Sequence, residues 1–459
     1  MHRDRLGCGK KNLNALIEQE KEAETDRILA RLDRDSSIDL EATEFYVRKA
    51  MLAAGGEVVQ RVLKGFGRDR PRTPVLCRCG QTMRSEGLRP KRLLTILGRV
   101  EFRRPRYKCE HCGRYEIPAD AALDIEGTQF SPGARHLMTH VGCTHPFGEG
   151  KKDLKLLAEL DAPAKNVERV AERVGEEMDL WMKQQSTAAQ LRETSDNASA
   201  ANDPIEILYV SFDGTGIPMR LSELAHTKSK TPGERAKTRE VKLGCVFTQT
   251  TTDDQGRAVR DPDTSTYVGA IENRVDFGYR IYGEAVRRGL RRAKRVVIVC
   301  DGAPYNKAII AEHFPDAIVI IDLYHARERV YKLARLLLPE SEREAIEKTW
   351  LNLLDRGDVE GLIEAVHTRI PRNGKRKNEA LKNLNYFKNN APYMRYKHFQ
   401  SQGLFVGSGV VEAGCKTLIG RRLKLSGMFW SERGANAIIA ARCCHYSNRT
   451  AQFWEDRAA

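Results

Sequence analysis

Three acidic residues stand where strand-like apolar runs stop. Asp213 follows Ile205 to Phe212 and precedes Gly214-Thr215-Gly216, Asp301 follows Arg295 to Cys300 and precedes Gly302, and Asp322 follows Ala317 to Ile321. An acid set before glycine at a strand end lets the carboxylate project while the chain turns away. Carboxylates gathered at the ends of neighbouring strands repel unless a cation lies between them, and hard divalent ions such as Mg²⁺ or Mn²⁺ prefer oxygen ligands. Asp-Gly is also a common turn signal, so the spacing by itself leaves plain turns open. A further acid, Glu412, lies in the run Gly407-Ser408-Gly409-Val410-Val411-Glu412-Ala413-Gly414. Ser408 is a candidate cap for a helix starting there, and Gly409, Ala413 and Gly414 would let that helix lie close against a sheet. An ordinary i,i+4 pair of Glu412 with Lys416 is the alternative.

A second kind of chemistry is carried by cysteine. Five of the 11 cysteines, Cys8, Cys143, Cys245, Cys300 and Cys415, are scattered singly, which is not the pattern of a disulfide framework. Two close pairs stand apart, Cys77-x-Cys79 and Cys109-x-x-Cys112, with 29 intervening residues able to form a hairpin. Folded back, they would offer four thiolates to a tetrahedral structural Zn²⁺. Four reduced thiols in a small strand module is the other reading, and His111 is expected to face solvent. Arg99, Arg103, Arg104, Arg106 and Lys108 surround the second pair, interleaved with Phe102 and Tyr107. A basic strand surface with aromatic residues suits phosphate contacts on DNA, with a solvated charged face as the alternative.

The elements that must position these residues follow from periodicity. Residues 1–69 read as a helical N-terminal region, with a helix pair over 36–66 interrupted at Gly55-Gly56. Residues 70–125 form a zinc-ribbon-like module, and 126–185 a helical region in which two segments flank Ala162-Pro163 as a helix-turn-helix or a plain helical hairpin. The Ser, Thr, Ala, Asn and Gln composition of 186–203 reads as a linker. Strands and helices then alternate over 204–338, a polar helical stretch covers 339–402, and 403–459 carries Glu412. The continuous apolar strands near 295–300 and 317–321 imply a central sheet covered on both faces. The expected class is therefore multidomain α/β.

The chain has 77 Lys and Arg against 62 Asp and Glu, a formal net charge of +15, and 41% hydrophobic residues. This favours a polyanionic partner, nucleic acid before others, although a solvated basic surface has the same arithmetic. No apolar run approaches a membrane span and the start shows no secretory signal, so a cytoplasmic protein without membrane contact is expected.

The order Asp213-Gly, Asp301-Gly, Asp322-x-x-His325 and Gly-Ser-Gly-x-Val-Glu412, followed by Arg421-Arg422 and Met428-Phe429-Trp430-Ser431, resembles bacterial insertion-sequence transposases of the DDE type. The ISKra-type group is similar also in the cysteine pairs ahead of the catalytic domain. The resemblance covers about residues 75–440. It implies a ribonuclease-H-like catalytic domain with an α-helical insertion, in which Asp213, Asp301 and Glu412 are the catalytic triad and hold two Mg²⁺ or Mn²⁺ ions. Two such ions about 3.5–4 Å apart suit phosphodiester cleavage by water and strand transfer by a 3′-hydroxyl. Asp322 and His325 match a D-x-x-H signature of related transposases, with His325 steadying the site or contacting DNA. Arg421, Arg422 and Lys424 are expected to hold phosphates, and Trp430 to stack on a displaced base or to lie in the core. The implied partners are double-stranded DNA, at element ends and target, and further copies of the chain in a bacterial, nucleoid-associated setting. Two other readings stand beside it: a ribonuclease-H-like nuclease or resolvase that cleaves without joining, and a non-catalytic zinc-dependent DNA-binding protein derived from a transposase.

Overall fold

The computed structural model describes residues 39–68, 74–193, 204–225 and 235–458, with residues 22, 25, 26 and 227 besides. The chain divides into two compact units with the boundary between Ala171 and Glu172. That boundary falls inside one long helix, Ala164–Glu193. Residues 186–193, expected to open a linker, therefore continue this helix, since their Ala and Gln are strong helix formers. The rest of the expected linker, 194–203, lies outside the described residues, as does most of 1–38.

In the first unit, β1 (Arg84–Thr95) and β2 (Gly98–Lys108) form an antiparallel hairpin, with β3 (Tyr115–Glu116) added to β2. Leu93, Val100, Phe102 and Ile125 form a core with Val59 and Leu63 from the helix Leu40–Arg68. That helix runs unbroken through Gly55-Gly56, where the sequence implies an interruption. The glycines serve packing instead: a Cβ on Gly56 would stand 2.8 Å from the Leu97 carbonyl oxygen in the hairpin turn. Helices Pro132–Thr144 and Phe147–Ala158 follow, and the Pro163 turn leads into Ala164–Glu193. The first turns of this last helix bury Val167, Val170 and Ala171.

The second unit is built on β4 (Ile205–Pro218), β5 (Thr238–Gln249), β8 (Thr266–Ala270), β9 (Ala293–Cys300) and β10 (Ile318–Ile321), with β6 (Thr251–Thr252) and β7 (Ala258–Val259) as a small ribbon beside them. The five strands lie in the order β10-β9-β4-β5-β8. β5 is antiparallel to β4 and β8, while β9 is parallel to β4 and β10.

Register decides which face each residue takes. On β5, a Cβ at Gly244 would meet Ile281 of the helix Arg274–Arg287 at 2.5 Å. The adjacent Leu243 points the other way, where its side chain meets Gly414 of the helix Gly409–Gly414. The two helices therefore cover opposite faces. Phe212 pairs with Gly244 and touches Phe277 on the first face, so Asp213, which pairs with Leu243, faces the Gly409–Gly414 helix.

Between β10 and the Gly409–Gly414 helix the chain runs through Leu323–Leu337, Glu340–Arg356, Val359–His367, Lys375–Asn390 and Tyr396–Ser401, all helical. Its return is tied to the sheet. Tyr209 Oη donates to Gln249 Oε1 at 2.7 Å and accepts from Phe405 N at 3.1 Å, and Gln249 Nε2 donates to the Gly403 carbonyl at 2.8 Å. Among the described residues no helix is long and apolar enough to cross a membrane.

Candidate active site and cysteine cluster

The parallel strands set three acids side by side, Asp301 and Asp322 at strand exits and Asp213 within β4, which does not stop at Phe212 as the sequence implies but stays paired with β5 to Pro218. Phe212, Cys300 and Ile321 are in register across β4, β9 and β10, and Asp213, Asp301 and Asp322 are the residues that follow them. Side chains alternate along a strand, so the three acids project on the same side, towards the Gly409–Gly414 helix. The Asp322 amide donates to the Cys300 carbonyl at 2.9 Å, keeping the β10 exit against β9.

Each carboxylate is held differently. Asp213 Oδ1 accepts from the Gly214 amide at 2.7 Å, and the Cys415 thiol also donates to Asp213. Asp301 Oδ1 accepts from Asn306 Nδ2 at 2.7 Å and from the Ala303 amide at 3.1 Å. Burial raises the Asp301 pKa above the usual carboxylate range against the pull of that amide, and the Asp213 charge beside it adds to the rise. Neither Asp213 nor Asp301 is ion-paired to a lysine or arginine among the described residues. Asp322 is fully buried; burial disfavours its charge, but hydrogen bonds from His325 and Ser408 hold its pKa below the usual range.

Glu412 reaches this group through Ser408. The Ser408 amide donates to Asp322 Oδ2 and its Oγ donates to Glu412 Oε1 at 3.0 Å. Ser408 therefore orients Glu412 and does not cap the helix as the sequence implies; its side chain makes no capping bond. His325 Nδ1 lies 3.1 Å from Asp322 Oδ1 and 4.0 Å from Glu412 Oε1. The Asp322 hydrogen bond, against burial, pushes His325 up to about 9, so the ring carries a proton at neutral pH. Ligand atoms of Asp322, His325 and Glu412 lie within 4.8 Å of one another. After Gly414 the helix widens into a π turn, Cys415–Gly420, whose Thr417 and Leu418 carbonyls accept from the buried Arg442.

The ligand atoms that come together are those of Asp322, His325 and Glu412, and Asp213 and Asp301 lie outside that set. Carboxylates placed side by side without a lysine or arginine partner favour a hard divalent cation near them. The described residues also close the cysteine set. Sγ atoms of Cys77, Cys79, Cys109 and Cys112 lie within 4.8 Å of one another, with Cys77 and Cys112 at 3.5 Å and Cys79 and Cys109 at 3.6 Å. A tetrahedron with Zn–S bonds of about 2.3 Å has edges of about 3.8 Å, so the four fit a zinc ion closely. The Cys112 amide draws the Cys109 thiol down to about 6. Cys79, despite the Gln81 amide, is pushed up to about 11 by the other thiols, the mark of a cluster that needs a cation to ionise together. His111 is exposed and outside the set.

The basic residues separate into two groups. Arg99 and Arg103 are exposed, Arg106 and Lys108 half-buried, and Arg421 and Lys424 exposed, with Lys424 donating to Thr215 Oγ1 two residues from Asp213. Two assignments of DNA contact need correcting, Arg104 and Arg422, and the alternatives left open for Trp430 are decided. Arg104 is buried, doubly bonded to Asp120 at 2.8 Å and donating to the Arg89 and Pro90 carbonyls. Arg422 is fully buried, its guanidinium 5.0 Å from the Trp430 ring centre. Trp430 is itself buried, its Nε1 donating to the Leu423 carbonyl at 3.1 Å, so of its two expected places it takes the core. Phe102 and Tyr107 are buried too, and Tyr115 of β3 is the exposed aromatic beside the hairpin, under Arg106 at 4.6 Å. We expect Arg104→Ala to cost about 3 kcal/mol, because buried Asp120 loses its doubly bonded partner and keeps only Lys91, at 3.7 Å; a denaturant melt of the protein checks this, and a loss under about 1 kcal/mol would return Arg104 to the surface group.

Asn306, Cys415 and Glu240 escaped the sequence reading. Glu240 on β5 leans across Gly214, where a Cβ would stand 2.8 Å from its Oε1, and its charge also disfavours ionised Asp301. Only Cys415, three residues after Glu412 and so on the same helical face, carries a sequence signal for its place.

No protein-family model matches the chain, and no curated protein matches it. Among solved structures it aligns with the Drosophila P element transposase strand transfer complex, at 10% identity and a TM-score of 0.25, over 74% of this chain and 84% of that one. A likeness at that score carries no argument about this chain.

Proposed function

We propose that this protein is a metal-dependent DNA transposase of the DDE type, which cleaves DNA strands and joins them to a target. The observation that carries the reading is the shared register of β4, β9 and β10, which aligns Asp213, Asp301 and Asp322, together with the return of Glu412 to the same face 111 residues after Asp301. The mixed sheet with antiparallel β4, β5 and β8 and parallel β9 and β10 supports a ribonuclease-H-like catalytic domain, and the helices over 339–402 support an insertion in it.

Asp213, Asp301 and Glu412 would hold the divalent ions, which supply charge stabilisation to the entering and leaving oxygens of a phosphodiester. The protein's own groups prepare that site. Asn306 and the Ala303 amide orient Asp301, and Ser408 orients Glu412. His325 keeps its Nδ1 proton through Asp322 and sits beside Glu412, a position suited to steadying the carboxylate or meeting a phosphate oxygen. Arg421 and Lys424 supply cations for the DNA backbone. Zinc on the four cysteines would organise the module that carries Arg99, Arg103 and Lys108. Two DNA ends have to be held together for transposition, so a homo-oligomer belongs to the proposal.

The test is incubation of the purified protein with labelled DNA carrying the sequences that flank its gene, with Mg²⁺ or with EDTA. Cleaved and joined products that require Mg²⁺ are expected. Cleavage without joining would make the protein a nuclease or resolvase, and binding without either product would make it a DNA-binding protein only.

A further inference from the structure

Beside the carboxylates lies a cavity of about 410 Å³, within the range of small-ligand sites. Its first wall is Asp301 with the Gly302-Ala303-Pro304 exit of β9. The second is one face of the helix Leu323–Leu337, on which His325, Glu328, Arg329 and Lys332 recur at the i, i+3, i+4, i+7 spacing. The third is Tyr386, from the helix Lys375–Asn390. The Arg329 guanidinium lies 4.9 Å from the Tyr386 ring centre, so the two make one flat, cationic wall. Arg329 also reaches Asn383 Oδ1 at 3.3 Å, and Lys332 reaches Glu379 at 3.2 Å, which fixes the wall to the inserted helix. Behind Gly302 sits Asn390, almost wholly buried, whose Oδ1 accepts no hydrogen bond.

We infer that this cavity binds one unpaired nucleotide of the DNA substrate, next to the phosphate held at the carboxylates, with its base on the Tyr386 and Arg329 wall and its phosphate near Lys332. The inference rests on the proposed strand-cleaving function. A hydrophobic ligand is disfavoured by a lining that carries Asp301, His325, Glu328, Arg329 and Lys332. A planar base with an attached phosphate matches all of it: the flat wall takes the π face, Lys332 takes the negative charge, and Glu328 accepts from an exocyclic amine. A base stacked in a duplex cannot enter a cavity beside its own backbone, so the nucleotide must leave the stack. The inserted helical stretch then has a function in this chain, since it supplies one wall of a substrate pocket.

The experiment compares binding of the full-length protein, in EDTA so that nothing is cleaved, to a flanking-sequence duplex and to the same duplex with one unpaired nucleotide at the cleavage position. A preference of about ten-fold or more for the unpaired substrate is expected, the scale of a single base–aromatic stack. Tyr386→Ala should remove the preference and Tyr386→Phe should keep it, with unchanged thermal midpoints as the control for folding. Lys332→Gln, at an exposed position where folding is not at stake, should reduce it several-fold. A preference unaltered by both Tyr386→Ala and Lys332→Gln overturns the inference, as does a pocket that takes free nucleoside monophosphate while showing no preference among the DNAs. Tyr386-dependent preference without Mg²⁺-dependent cleavage would remove the proposed activity and leave the pocket; cleavage with no such preference would remove the pocket alone.

Discussion

Asp301→Asn is expected to lower Mg²⁺-dependent strand cleavage by about 10³-fold or more, equivalent to about 4 kcal/mol of transition-state stabilisation. Asparagine keeps the shape and the Oδ1 that accepts from Asn306 and the Ala303 amide, so only the charge is lost. That charge is what a divalent ion would require of the β9 exit, and Asp213→Asn and Glu412→Gln are expected to act in the same direction. The same variant should melt no earlier than the parent in the absence of metal. Asp301 is largely buried beside a second carboxylate, with no lysine or arginine paired to it among the described residues, and a neutral residue relieves both desolvation and the Asp213 repulsion, which together outweigh the His325 charge. Loss of cleavage with retained or raised thermal stability is the combined signature of a site built for a cation. Rates within ten-fold of the parent for Asp301→Asn would remove this residue from the triad.

The second large effect concerns the cysteine cluster. Among the described residues the cluster at the cysteines adds only Met83 and Tyr107, with Val75 packed against them, while the Leu93, Val100, Phe102 and Ile125 core forms a separate cluster, so the knuckle end has little apolar packing of its own. Metal binding must therefore supply much of the folding free energy, on the order of 10 kcal/mol for structural zinc. The purified protein is expected to contain one zinc per chain. Cys109→Ser, or prolonged chelation, should release the ion and open the segment around residues 75–116 to protease. Stoichiometric zinc absent from freshly purified protein, together with a protease-resistant Cys109→Ser variant, would show that four thiols alone suffice.

These predictions rest on positions that differ in how far they could be read beforehand. Asp301 and Asp322 were legible as strand ends because an apolar run, an acid and a turn are adjacent in the chain, and the cysteine pairs because knuckle spacing is local; Asp213-Gly214 is no turn, since β4 runs on through it to Pro218 against β5. Gly55-Gly56 misled for the same reason. Glycine propensity is local and argues for a break, whereas the packing of Leu97 on the helix argues for glycine and prevails. Arg104, Arg422 and Trp430 look like DNA contacts in a basic sequence. Their removal to the interior depends on Asp120, the Arg89 and Pro90 carbonyls and the Leu423 carbonyl, none of which a spacing rule connects to them.

By itself, then, the sequence determined the class of chemistry: acids at the ends of buried strands, four cysteines in two knuckles, a basic excess and the period of each segment. The tertiary structure alone decided which acids share a face, through the register of Phe212, Cys300 and Ile321. It alone brought Ser408 to both Asp322 and Glu412, and Tyr386 to the cavity beside Asp301. The physical reason is range. Propensity, alternation and knuckle spacing act over a few residues, but the return at Gly403 to Phe405 is held by Tyr209 and Gln249, some 150 to 200 residues earlier, and such contacts exist only once the sheet has formed.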